Sequence, residues 1–413
     1  MQQSYNRDIW KKDGIFAVAC LSCLICLLMF SGLRVAGALG FYQLFPEWAA
    51  EIIFSTLSQV VMMMGIPVVV LWIYKRRLHK RGLLEKPTAL NHAQDFGLRK
   101  MDIKTILIVI GLGVLCFFFN SFVSGVANGV LVLFGFRFPT MVASEGLTVV
   151  MGNWAFLLML VLIAVFPGFC EEVSYRGMLM NGFVKKLGLH GALLVSSFMF
   201  GLMHLNVVQV IFATVLGYLM GMAVLATRNL WAGIIVHFIN NALAVYMAFA
   251  PGAGWMFGDV LVWLVNLNFI VYLLVMLGVY FAIREILMAL CRRGYMRERM
   301  AIAATVTNAH PAIAEYGGAQ LTLEQVADRL DHMAKQIPMR WARMRFYCDP
   351  QDSIELSLRR GHKLAHRNTH VSATMQAYAP NISRWGVWDR VLLGGILFFG
   401  SVVTIMTLIW GFM

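Results

Sequence analysis

Charge is scarce in this sequence. Lys and Arg number 34 and Asp and Glu 21, so 13% of the 413 residues are charged against 60% apolar. Soluble globular domains carry about 25% charged residues. A chain this poor in polar surface cannot be covered by water, which excludes the ordinary soluble enzyme classes. The seven cysteines (Cys20, Cys23, Cys26, Cys116, Cys170, Cys291, Cys348) are odd in number, lie mostly in apolar runs and lack paired zinc-ribbon spacing, so no disulfide framework follows. Cys20, Cys23 and Cys26 recur at helical spacing, which reads as helix packing, with palmitoylation near a helix as the alternative. No HExxH helix occurs, which removes the site-2-type zinc peptidases. Asp259 lies between two apolar runs with no partner Asp inside a run, and no serine is singled out for a Ser-His dyad.

What the sequence has is apolar length. A bilayer core takes about 20 apolar residues per helix, and that yardstick marks nine candidate spans: Ile15–Leu39, Trp48–Tyr74, Ile106–Phe136, Val149–Phe169, Ala192–Leu205, Val208–Leu225, Ala232–Ala250, Val260–Ile283 and Val391–Phe412. The first run, Gly14 to Tyr42, is too long for a signal-peptide core and reads as a retained span. The expected fold is therefore an all-α polytopic transmembrane bundle.

The net charge of +13 raises the question of nucleic acid, but the basic residues cluster in short stretches beside the apolar runs. That is the pattern of topology and of attraction to anionic lipid, so anionic lipid and not nucleic acid is the expected partner. The clusters at Arg7, Lys11 and Lys12, Lys75 to Lys100, Arg176 to Lys186, Arg228 and Arg284 to Arg299 fall on one side of the count. By the positive-inside rule that side, and the N-terminus with it, is cytoplasmic. The pattern fits a bacterial plasma membrane better than an organelle.

The expected organisation is N-terminal spans with a basic loop over 1–105, a core over 106–290, a polar basic cytoplasmic segment over 291–390 and a last span over 391–413. In the polar segment NAHPAIAEYGG reads as loop, and Thr322-Leu-Glu-Gln opens an amphipathic helix through a capping box. Its cations Arg340, Arg343, Arg345, Arg359, Arg360 and Lys363 read as a solvated face against headgroups. Gln59, Asn120, Asn128, Asn266 and Asn268, inside runs, read as interhelical packing groups.

Ionisable residues within spans are expensive and are functional candidates by default. The densest group is Glu171-Glu172-Val-Ser-Tyr-Arg176, placed at the cytoplasmic end of the fourth span. Glu172 and Arg176 are four apart with the acid first, the favourable order for an ion pair, while Glu171 points about 100° away and stays free. Two further polar pairs follow: Phe200 with His204, and His237 with Asn241, each four apart on one helix face. A carboxylate in a low-dielectric site takes a proton readily from water, a neighbouring His can hold that water, and a second His with an Asn can donate to a tetrahedral oxyanion. The same Glu, His, His set also offers zinc three ligands and an open fourth position.

EExxxR, FxxxH and HxxxN in this order resemble the three motifs of the CAAX-protease and bacteriocin-processing (Abi) family of intramembrane proteases, over about Ile106 to Ala250. The resemblance implies a bundle of about eight spans, with a cavity opening to the cytoplasmic side, and a glutamate-dependent endopeptidase acting on a membrane-associated protein or peptide. It implies Glu171 as the base with His204 as partner, His237 and Asn241 as the oxyanion site, Glu172 and Arg176 as support, and Phe200 packed beside the water. An older reading of the family as zinc enzymes keeps the metal in view. The polar segment and the ninth span have no counterpart in the motif core. The alternative is a non-catalytic immunity, scaffold or transport protein of the same fold. Straight helices would place His204 deeper than Glu171 or His237, so a kink at Pro167–Gly168 or a low start of the fifth span is expected.

Overall fold

The computed structural model describes residues 8–136, 154–253, 268–351 and 385–412, together with 259, 263, 353 and 354. Among these, eight helices are long and apolar enough to cross a bilayer, and the chain is an integral, multi-pass, all-α membrane protein. The helices are α1 (Ile15–Ala38), α2 (Trp48–Lys80), α3 (Ile103–Leu133), α4 (Trp154–Leu202), α5 (Val207–Thr227), α6 (Leu230–Ala253) and α7 (Phe269–Ala309). After them come α8 (Leu323–Gln336), α9 (Arg340–Cys348) and α10 (Val387–Phe412).

Nine expected spans become eight because the fourth and fifth are two arms of α4. The chain turns at Gly188, whose φ of 68° and ψ of 171° leave the helical region, a conformation that costs little without a Cβ. The second arm folds back on the first, bringing the Phe200 ring 5.2 Å from that of Tyr175.

The first arm corrects the expected end of the fourth span. It does not stop at Phe169 but continues through wide π-turns at Leu160–Val165 and Val173–Met180 towards Gly188, with no break at Pro167 or Gly168. All of residues 172–183 are buried. The physical reason is internal compensation: Arg176 pairs with Glu172 inside the bundle, so the charged stretch does not need to reach headgroups.

The basic loops gather at one end of the bundle. Lys75 pairs with Asp95, Lys186 with Asp389 at 2.9 Å, Arg228 with Glu298 at 2.6 Å and Arg293 with Asp102 at 2.9 Å. There the Leu230 amide donates to Gly97 O and Asn229 Nδ2 to Arg99 O. Asp102 caps α3: the Thr105 hydroxyl and amide, with Arg293 behind them, hold its carboxyl down at about 2.

The boundary drawn at 290/291 from composition falls inside α7, which continues for 41 residues. Its polar half is tied down by Tyr295, whose hydroxyl donates to Ala327 O at 2.7 Å. Beyond it, Glu315–Tyr316 and Ala319–Gln320 form a two-residue antiparallel hairpin, turned by Gly317 and Gly318 at φ of 57° and 82°. The capping box is present, Thr322 Oγ1 accepting from Gln325 N and Gln325 Oε1 from Thr322 N. In the basic patch, Arg343 donates to Ile337 O and Arg340 lies 3.6 Å from Glu285. Arg7, Arg359, Arg360, Lys363 and Asn266 lie outside the described residues, as do 149–153 of the fourth expected span.

Candidate active site

The first arm of α4 carries Glu171 and Glu172 on different faces, and their surroundings differ accordingly. Glu172 is fully buried and its Oε1 receives Arg176 Nη1 at 2.6 Å. Arg176, 1% exposed, also donates to Gly217 O at 2.9 Å and lies with its guanidinium 4.5 Å from the Phe200 ring centre. The anion thus has a hydrogen-bonded cation, and the cation has a carbonyl and an aromatic face. Two glycines make this approach sterically open. A Cβ on Gly233 of α6 would stand 2.5 Å from Glu172 Oε2, and one on Gly217 of α5 would stand 2.9 Å from Arg176 Nη2.

Glu171 has no Lys or Arg partner among the described residues. Its Oε1 accepts from Gln59 Nε2 of α2 at 2.8 Å, and its Oε2 lies 3.9 Å from His237 Nε2. The imidazole of His237 stands between the two acids, with Nδ1 3.1 Å from Glu172 Oε1. Glu172 is an acceptor, so Nδ1 carries the proton of this bond and Nε2 is the ring atom presented to Glu171.

His204, at the end of the second arm, is anchored in the same way. Its Nδ1 donates to Phe200 O at 2.9 Å and its ring stands edge-on to Phe200 at 5.1 Å. That leaves its Nε2 for the cavity. Its contacts do not include Glu171; Glu171 instead meets Gln59 and His237. Asn241 Nδ2 donates to Ile163 O at 2.8 Å and its Oδ1 accepts from Asn240 at 2.9 Å.

Glu171, Phe200, His204, His237 and Asn241 all line one cavity of about 660 Å³, and Glu172 and Arg176 pack behind it. Among the described residues no group of three or more His, Cys, Asp and Glu is arranged to hold a metal ion. Glu171, His204 and His237 face the cavity without converging on one point, so the set does not fit zinc as it stands.

Two groups have roles at the site that sequence reasoning misses. Gln59, expected as a packing amide, is the hydrogen-bond donor to Glu171, and Asn240 ties Asn241 in place. Gln59 is 112 residues from Glu171 in the chain, and the only signal in the sequence is an amide inside an apolar run. Replacing Gln59 by Leu should lower kcat about tenfold with KM little changed, since one orienting hydrogen bond of about 1.4 kcal/mol is lost. Steady-state kinetics on the purified variant check this.

On the side of the basic loops, residues 172–183 of α4 and 219–227 of α5 are all buried. The cavity wall runs the other way, through Pro167 and Ile163 on α4 and Asn120 to Asn128 on α3.

Residues 153–243 match the family model of type II CAAX prenyl endopeptidase Rce1-like proteins, a stretch that contains all three motifs. Over 94 residues the chain is 25% identical to YdiL of Bacillus subtilis (strain 168), a protein provisionally assigned as a membrane peptidase. The match takes in 23% of this chain and 38% of that relative's length. No solved structure matches the chain.

Proposed function

From the premise that this chain belongs, through residues 153–243, to the CAAX-protease and bacteriocin-processing family, we propose that it is an intramembrane endopeptidase hydrolysing a peptide bond of a membrane-associated protein or peptide. The observation that carries the proposal is the unequal treatment of two adjacent carboxylates, Glu172 being paired with Arg176 while Glu171 faces the cavity between the Gln59 amide and the His237 ring. Paired acids in different environments divide their roles.

Glu171 is the base. Gln59 occupies Oε1 and leaves Oε2 to take a proton from water as the water oxygen attacks the scissile carbonyl. His204, fixed through Nδ1, offers Nε2 to the same water from across the cavity. His237 and Asn241, neighbours on α6, donate to the oxyanion. For this His237 acts as imidazolium, with its Nδ1–H held by Glu172 Oε1 and its Nε2–H turned to the substrate. Collapse of the intermediate breaks the C–N bond, and the proton held by Glu171 passes to the leaving nitrogen. No step is routed through a metal.

The basic end is the cytoplasmic one in this reading, with the N-terminus on that side and anionic headgroups around the loops. The test is cleavage of a membrane-associated reporter peptide library by the purified chain, read by mass spectrometry, with and without chelator. Cleavage that stays within about twofold on chelation supports a carboxylate mechanism; complete loss, restored by zinc, would overturn it in favour of a metal. A preparation that is folded and cuts nothing in the library would count against peptidase activity altogether.

A further inference from the structure

Cys291 and Cys348 lie 57 positions apart in the chain, yet their sulfurs stand 3.4 Å from one another. Cys20, Cys23, Cys26, Cys116 and Cys170 are buried, and Cys348 is the one thiol of the seven that is partly exposed. Cys291, against it, is 1% exposed. An accessible thiol with a second thiol beside it is the arrangement of a redox-sensing cysteine and its resolving partner. Both residues lie outside the family match at 153–243, in the part of the chain that the motif core does not contain.

The two thiols are held in register. One turn beyond Cys291, Gly294 packs so closely on α5 that a Cβ there would stand 2.2 Å from Ala226 O, which fixes α7 against α5 at this level. Cys348 is the last residue of α9, and the backbone turns extended at Asp349, with φ of −150° and ψ of 92°. Its side chain can therefore change rotamer without meeting a following helical turn. Arg228, at the end of α5, brackets the pair: Nη2 donates to Cys348 O at 3.2 Å and Nη1 meets Glu298 of α7 at 2.6 Å. At the start of α9, Trp341 donates to the Tyr280 hydroxyl of α7 at 3.0 Å, and its ring lies 5.9 Å from that of Tyr218 on α5. Hydrogen bonds and ring contacts thus seat α9 on α5 and α7, with the two sulfurs at one end of the interface.

We propose that Cys291 and Cys348 are a reversible redox clasp, a disulfide that fastens α9 to α7 when the surrounding small thiols are oxidised. The oxidant is a low-molecular-weight disulfide, RSSR. Cys348, as thiolate, attacks one sulfur of RSSR and expels RS⁻, giving a mixed disulfide. Cys291 loses its proton to water and attacks Cys348 Sγ; the Cys291–Cys348 bond forms, the bond to the RS group breaks, and the second RS⁻ leaves. Two protein thiols are oxidised, one small disulfide is reduced to two thiols, and excess thiol reverses both steps. On the basic face, read above as cytoplasmic, such a bond is transient and follows the thiol poise.

The test needs no turnover and is independent of the peptidase reading. The purified full chain is equilibrated in buffers of reduced and oxidised glutathione, free thiols are blocked, and the digest is read by mass spectrometry. The expected product is a single Cys291–Cys348 cross-link that disappears when reduced glutathione is added. Cys291→Ala should stop the reaction at a glutathione adduct on Cys348, and Cys348→Ala should leave the remaining thiols unreacted. Hydrogen exchange over residues 340–348 should slow by roughly tenfold on oxidation, because α9 can no longer swing away from α7. A lasting glutathione adduct or no reaction in the wild type, a cross-link that forms only after unfolding, or equal exchange in the two states would each overturn the clasp.

Discussion

Glu171→Gln should reduce peptide cleavage by roughly 10²–10⁴-fold, the range for loss of a general base, while the protein remains folded. Among the described residues Glu171 has no Lys or Arg partner; its contacts are an amide and the far nitrogen of His237. Gln is nearly the same size, so packing is retained and only the proton acceptor disappears. The measurement is single-turnover cleavage beside a thermal unfolding curve in the same detergent. Wild-type rates in the variant would dismiss Glu171 as the base. A rate lost together with several degrees of Tm would make the residue structural.

Arg176→Ala should have the largest effect on stability. Removing one partner of a buried pair leaves an uncompensated charge, at a cost of about 3–5 kcal/mol. Here Glu172, already 0% exposed and with Oε2 lacking a hydrogen bond, would lose its guanidinium and keep only His237 Nδ1. Gly217 O would lose its donor and the Phe200 ring its cation. The expected result is a sharp fall in Tm and in yield from detergent. The discriminating companion is Glu172→Gln with Arg176→Met, which removes both charges together and should recover much of the lost stability. Equal instability of the single and double variants would show that packing around residue 176, and not the stranded carboxylate, governs the fold. Unchanged stability of Arg176→Ala with lost activity would move Arg176 out of the supporting layer and into the chemistry.

The contrast between these two acids shows how far the sequence alone reaches. Glu172 and Arg176 are four apart in one helix, and the 3.6-residue turn brings them together whatever the rest of the chain does. The same holds for the Thr322–Gln325 capping box and for the existence and extent of the apolar helices. These are local consequences of backbone geometry and of the bilayer's thickness, and residue order alone is enough to reveal them.

The relations between helices are of another kind. Glu171 to Gln59 and Glu172 to His237 span 112 and 65 residues. They depend on close approach of α2 and α6 to α4, in one case across Gly233, where even a methyl group would collide with Glu172. Composition also misplaces the end of the fourth span, because a charged stretch that neutralises itself internally looks the same in sequence as one that meets headgroups. The depth of His204 follows from the turn at Gly188, which sends the second arm of α4 back towards Phe200's position beside Tyr175. The sequence thus determined a multi-pass helical membrane protein, an ion pair four residues apart and the residue types of its site. Only the tertiary structure decided which amide holds the free carboxylate and which imidazole stands between the two acids, because those depend on how helices distant in the chain pack against one another.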